Sequence, residues 1–264
     1  MATSSLVLLL ADGRFPAGAH AHSGGLEAAV AAGRVDDLAS LEAFLLGRLA
    51  TAGLVGAAFA AAAHRTAAPD GAETVERVGA GTAVAPDGAG TAERAGSGAA
   101  STPAGAAHRR ATLARLDAEL DARTASPALR AVSRRQGRAL LRAGRTIWPD
   151  AAFTDLPSTP GGAHQPLVLG LLCAAAGLSR TETATIAAYG TVTGAASAGV
   201  RLLGLDPYQV QALLVGLADV CDGTAADAAR AADDPPERLP SAAAPLADIH
   251  AEVHATWEVR LFAS

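Results

Sequence analysis

The stretch LASLEAFLLGRLATAGLVGAAFAAAAHR, residues 38–65, decides the fold. Leu38, Leu41, Leu45, Leu49 and Ala52 recur at helical spacing, which gathers apolar side chains on one face of an α-helix. Asp36 or Asp37, just ahead, supplies a carboxylate that can cap the first free N–H groups. The second half of the run is mostly Ala, with Phe59 as its aromatic residue. A helix built this way has little side-chain bulk, so it closes on its neighbours by near approach of the backbones. The rest of the 264-residue chain is written in the same manner: half of it is hydrophobic, yet aromatics make up 3%. Large anchors such as Phe44, Phe59 and Trp257 are few, and Leu and Val must fill the seams.

Working outward, Ser23–Ala32 reads as a short Ala-rich helix opened by Ser-Gly-Gly and ended by Gly33. On the other side, residues 69–107 hold three Pro and eight Gly and lack Leu, Ile, Met, Phe, Tyr and Trp. Such a segment buries too little apolar surface to offset its ordering entropy, which predicts a disordered insertion. Helices are then predicted at His108–Ala122, Ala128–Ile147, Pro166–Ala176, Arg180–Leu203, Pro207–Ala232 and Pro245–Thr256. Pro127 suits a first helical turn, Ser179 and Asp206 are N-caps, and Gly177 and Gly204 end helices. Pro149–Gly162 and Asp233–Pro240 read as connections, and Trp257–Ser264 as a tail. No segment alternates as a strand does. The expected fold class is all-α: a single domain over residues 1–264, a bundle of about eight helices.

Charge and composition exclude several functions. The net charge of −5 lacks the basic excess of a general nucleic-acid binder. All 21 basic residues are Arg, so no lysine can serve a phosphate loop, a Schiff base or general-base chemistry. Cys173 and Cys221 form no Cys-x-x-Cys and are expected as buried, reduced thiols of a cytoplasmic protein. Met1–Leu10 lacks the charged start of a secretory signal. Leu49–Ala63 is too short to span a bilayer, for which about 20 apolar residues are needed. Thr183–Val200 approaches that length, but its Thr and Ser content and its Gly190/Gly194 pair predict a buried helix with a close neighbour.

Three features carry candidate chemistry. The Gly-rich loop Phe15–Glu27 ends at a helix start, where backbone N–H groups can cradle an anion or simply make a tight entry. Its His20 and His22 form a weak metal candidate, since a stable site wants three or four ligands. Arg130, Arg134, Arg138 and Arg142, with Arg145 nearby, make a positive stripe along one helix. Acidic groups must lie opposite it, within the fold or on a partner. His250 and His254 share a helical face at the spacing of a metal clamp, though Glu252 lies off that face. Nothing matches a nucleophile elbow, a phosphate-binding loop or a paired-Cys metal site, and no cofactor is called for. A binding protein is the first expectation, with a helical metal-binding protein or metal-dependent enzyme using His250 and His254 as the alternative.

Several segments, in order, resemble one family. Leu8-Leu9-Leu10-Ala11-Asp12 through Pro16-Ala17-Gly18 to Ser23-Gly24-Gly25-Leu26-Glu27 is similar to the N-terminal signature of the urease accessory protein UreF family, Leu-Pro-x-Gly-Gly-Phe-Ser-Tyr-Ser-x-Gly-Leu-Glu. Ser133-Arg134-Arg135-Gln136-Gly137-Arg138 resembles its Ser-x-Arg-Gln-x-Gly-Arg helix, one residue shorter. His164-Gln165-Pro166 with Gly170 resembles its His-x-Pro-x-x-x-Gly segment. Gly199-Val200-Arg201-Leu202 with Gln209 and Gln211 resembles a later one, and Arg260-Leu261-Phe262 its ending. The likeness covers most of the chain except residues 69–107. The chain departs from the pattern at His20 and His22, where the family has aromatics, and at Ala255, where it has Glu.

The resemblance implies an all-helical homodimer without a catalytic site. It would join UreD (also called UreH) and the GTPase UreG on apo-urease, in a complex that delivers nickel coupled to GTP hydrolysis. It further implies that Glu27, Ser133, Arg135, Gln136 and Arg138 contact partners, and that Arg260, Leu261 and Phe262 form a tail that docks on UreD.

Overall fold

The computed structural model describes residues 5–16, 21–67 and 102–263. His20, residue 68 and residues 69–101 of the expected insertion lie outside the described residues. The fold is all-α, with no strand among the described residues. In chain order the helices are α1 (Ser5–Ala11), α2 (Leu26–Ala31), α3 (Leu38–Arg48), α4 (Leu54–Ala67), α5 (Pro103–Arg123), α6 (Pro127–Ile147), α7 (Gln165–Ala175), α8 (Arg180–Leu203), α9 (Pro207–Gly216), α10 (Ala218–Ala231) and α11 (Pro245–Ala255).

The Ala-rich helix is the centre. Every residue of α4 from Ala57 to His64 is buried, and α4 packs against α7, α8 and α10. The expected backbone approach is seen at Gly170 of α7. A Cβ added there would lie 2.3 Å from the Ala60 carbonyl oxygen and 2.7 Å from the His64 nitrogen, so no larger residue fits without parting α4 from α7. Phe59 is fully buried in this layer, under the Arg123 guanidinium, which lies 5.4 Å from its ring centroid.

The helix expected over 38–65 is two helices. A π-helical turn, Leu49–Gly53, joins α3 to α4, and the continuous run ends at Ala67. Asp37, not Asp36, is the cap, in a capping box with Ser40. The helix expected over 207–232 is also two, α9 and α10, divided at Gly216–Leu217, where glycine weakens helix propagation. α5 starts at Pro103, because Thr102 caps the Gly105 N–H and Pro103 suits the first turn. The last residues of the 69–107 segment are therefore helical. α1 was not foreseen, and α2 is shorter than Ser23–Ala32. Ser179 caps α8 with Glu182 in a capping box, Asp206 caps α9, and Gly177 and Gly204 take left-handed φ of 72° and 65°.

Leu38–Ala67 is long and apolar enough to cross a membrane by length and composition; its 18-residue apolar window has a mean hydropathy of 1.6, and 44% of that window is buried inside the fold. The close helical neighbour expected for Gly190 and Gly194 is missing among the described residues, and the one approach to Gly194 is the His22 carbonyl, 3.8 Å from where its Cβ would lie. Gly190 is exposed, and a Cβ there would meet nothing within 4 Å. The small face of α8 opens onto a groove.

Candidate functional site

Three of the segments singled out in the sequence meet at one end of the fold. Ser23 is buried and its hydroxyl accepts the Glu27 N–H at 3.2 Å, fixing the start of α2. Glu27 is then held at 7% exposure with its carboxylate turned inward. Its Oε1 accepts the Leu261 N–H at 2.8 Å, and its Oε2 accepts the Phe262 N–H at 3.0 Å and the His254 Nε2–H at 2.9 Å. Burial alone would raise this carboxyl, but hydrogen bonds from Leu261, His254 and Phe262 outweigh it and hold Glu27 below the usual glutamate range. Ala263 donates its N–H to the Ala21 carbonyl at 2.7 Å, and Arg135 reaches the Ala263 carbonyl at 3.5 Å.

The C-terminal tail is thus folded onto its own chain. Phe262 is 5% exposed and stacks under Arg201, whose guanidinium carbon lies 4.9 Å from the ring centroid. Arg260 and Leu261 are exposed. Glu27 sits beneath the tail rather than on the surface. His254 is buried, bound to Glu27 and packed on Trp257 at 4.7 Å between ring centroids, so it does not pair with His250 as a clamp. Among the described residues no cluster of three or more His, Cys, Asp or Glu is placed to hold a metal ion.

The positive stripe of α6 divides in two. Arg134 turns into the fold, where it pairs with Asp117 and Asp121 of α5, each at 3.0 Å. Arg130 reaches the Thr124 and Ala125 carbonyls, and Arg138 the Gly161 carbonyl. The acid opposite the stripe is therefore Asp117 with Asp121, two residues that reading α6 by itself missed. Arg142 and Arg145 remain exposed.

Asp121 also accepts the Nε2–H of His164 at 2.7 Å, leaving Nδ1 to accept the Ser133 hydroxyl at 3.0 Å. Ser133 in turn accepts the Gln165 N–H at 3.3 Å. Burial pushes His164 below the usual histidine range, helped by Arg134 and opposed by Asp121 and Asp117. This neutral imidazole welds α5, α6 and the start of α7. Gly137 permits the weld: a Cβ there would lie 2.2 Å from the Ala163 carbonyl oxygen. Ser133 is a structural joint as well as a half-exposed residue.

Between these two joints runs an open groove of about 1420 Å³, walled by α3 and α8 on one side and by α6 and α11 on the other. Ser133, Gln136, His22, His250 and Phe262 line it. Arg48, unnoticed in the sequence, also projects there from the end of α3. It donates to the Gly24 and Thr191 carbonyls, and burial pushes its guanidinium down to about 10. The available signal was its isolation, as the one Arg, Lys, Asp or Glu between Glu42 and Arg65.

The UreF family model matches residues 35–218, from before α3 to the start of α10. The chain belongs to the UreF family. It is 39% identical to a urease accessory protein UreF of Mycolicibacterium vanbaalenii over 264 residues, all of both chains. It is 40% identical to that of Mycobacterium sp. (strain JLS) over the same span, and 37% identical to that of Mycobacterium tuberculosis over 228 residues, 86% of each chain. These UreF relatives are named as accessory proteins to urease, in keeping with a chain read as non-catalytic. In UreF terms, the signature Glu27, the α6 residue Arg135 and the C-terminal ending, far apart in sequence, meet at the tail, where Glu27 and Phe262 are buried anchors and Arg135, Arg260 and Leu261 are exposed.

Proposed function

We propose that this chain is a non-catalytic scaffold of urease maturation in the cytoplasm. It works as a homodimer that joins UreD/UreH and the GTPase UreG on apo-urease and assists nickel insertion. The observation that carries this reading is the convergence of the family segments at the tail. A site for turnover would gather reactive side chains in a pocket. Here Glu27, His254 and His164 are instead consumed in holding backbone and helices together.

Exposed Arg135, Arg138, Arg260 and Leu261 are left to face partners, alongside half-buried Gln136. Rim charges of this kind govern encounter and specificity, and buried anchors govern residence. Removing residues 257–264 abolishes capture of purified UreD and leaves the helical content nearly unchanged. Full capture by the truncated chain would sink the tail assignment. Urease activation in a strain lacking this chain tests the whole reading, which fails if nickel loading of urease proceeds unaltered. Purified chain holding tight, stoichiometric metal through His22, His250 or His254 would favour the metal-binding alternative.

A further inference from the structure

The groove beside the tail has a composition that selects its occupant. One wall is the face of α8 bearing Gly190, Gly194 and Ser197; Gly190 and Ser197 are exposed and a Cβ at Gly190 would meet nothing within 4 Å, while the His22 carbonyl lies over Gly194, so another helix axis can lie close along the Gly190 end. Arg48 stands on that wall and Arg201 at its end. Neither guanidinium has a carboxylate partner among the described residues. The two carboxylates that line the groove are Asp12, already paired with Arg14, and Asp248 on the α11 rim. The floor and far wall are largely apolar, with Val55, Pro166, Leu169 and Leu246.

Resting on the proposed scaffold role, we infer that this groove receives an amphipathic α-helix of a partner protein, which lays small and apolar residues on α8 and presents a carboxylate to Arg48. The charge argument favours this occupant over a second copy of the chain. A second copy would bring its own unpaired Arg48 and Arg201 to the same face. A half-buried guanidinium already fixed by two carbonyls loses little freedom when a carboxylate arrives, so the geometry rewards a carboxylate delivered on a rigid element. An extended peptide would leave its own backbone groups unpaired against the side-chain wall of α8, whereas a helix satisfies them internally.

The test uses the full chain and purified UreD, UreG and apo-urease as separate probes. Gly190→Leu raises a bulky side chain on the α8 wall where the incoming helix would lie closest, and because a Cβ at that position meets nothing within 4 Å and Leu propagates a helix better than Gly the variant folds at least as stably as the parent. Arg48→Gln keeps a hydrogen-bonding side chain for Gly24 and Thr191 and removes the charge. Each variant is expected to weaken one of the three probes by about tenfold or more, with a shallower salt dependence for Arg48→Gln. A photo-crosslinker at Thr193 is expected to attach to an acidic helix of that same probe.

Undiminished binding of all three probes by Gly190→Leu would overturn the groove assignment while leaving the scaffold role standing. Crosslinking at Thr193 only to another copy of the chain would overturn it too, in favour of a dimer seam. If the parent chain binds none of the probes, the scaffold reading and the groove fall together.

Discussion

Replacing Glu27 by Gln removes the charge on which the tail hangs and keeps the size of the side chain. Three donors converge on the carboxylate: the N–H groups of Leu261 and Phe262 and the His254 ring. Hydrogen bonds to a charged group contribute about 1.5–3 kcal/mol each, against about 1 kcal/mol for neutral ones. Gln offers one oxygen, placed best where it still accepts from Phe262 and His254, and turns its own NH₂ group against the Leu261 N–H. One charged bond is lost and two become neutral, a total of about 3 kcal/mol. Because the tail is a chain end, this loss opens it locally rather than unfolding the bundle. At about 1.4 kcal/mol per tenfold, the open population rises about 100-fold. Amide hydrogen exchange at Leu261 and Phe262 should accelerate by that factor while α4 and α7 keep their protection. Unchanged exchange at those two amides refutes the clasp. Equal loss of protection in α7 refutes the claim that it is local. Acid should reproduce the effect in the parent chain. A carboxyl held below its ordinary value contributes stability above that value and loses it as the pH falls through its folded one, so the tail loosens below the usual glutamate range.

Two glycines predict opposite outcomes for one substitution. Gly170→Ala should cost about 1–3 kcal/mol or more in urea unfolding, since the new methyl meets the Ala60 carbonyl, whereas Gly190→Ala should gain about 0.5–1 kcal/mol through helix propensity alone. Arg134→Ala leaves the buried Asp117 without its counter-charge, Asp121 keeping His164, and should destabilise by about 3–5 kcal/mol, with Arg134→Ala/Asp117→Ala recovering part of that loss if the pair is the reason. Burial lowers both His64 and His164. A histidine held neutral in the fold keeps its full stability above its ordinary pKa and loses it as the pH falls below, so the melting temperature should drop from about pH 6.5 downward; a flat profile between pH 7 and 5 would contradict the assignment.

Element ends written in capping residues were readable in the sequence. Ser179 and Asp206 act through their own side chains on neighbouring N–H groups, and Pro127 through the helical φ its ring imposes at the first turn, so a few residues of context suffice. The Ala-rich run also announces its tight packing, which Gly170 bears out. The π-helical turn was illegible because Leu41, Leu45 and Leu49 keep their helical spacing up to it, and the hydrogen bonds shift within Ala and Thr, residues that any helix accepts. The site was readable where the family signature carries it and illegible where partners come from distant segments. Glu27 reads as a surface acid until Leu261 and Phe262 arrive from 234 and 235 residues away. Arg134 reads as one rung of a stripe until Asp117 takes it.

The turn at Leu49–Gly53 also sets a phase. An α-helix advances about 100° per residue, and a π-helical turn is in effect one extra residue absorbed in the spiral. Everything on α3, including Arg48 and Phe44, is therefore rotated by about that angle relative to an uninterrupted continuation of α4. Excising a single residue such as Ala50 would swing Arg48 off the Gly24 and Thr191 carbonyls, with the buried Ala57–His64 register undisturbed. The orientation of one wall is encoded by residue count, independently of which side chains stand on it.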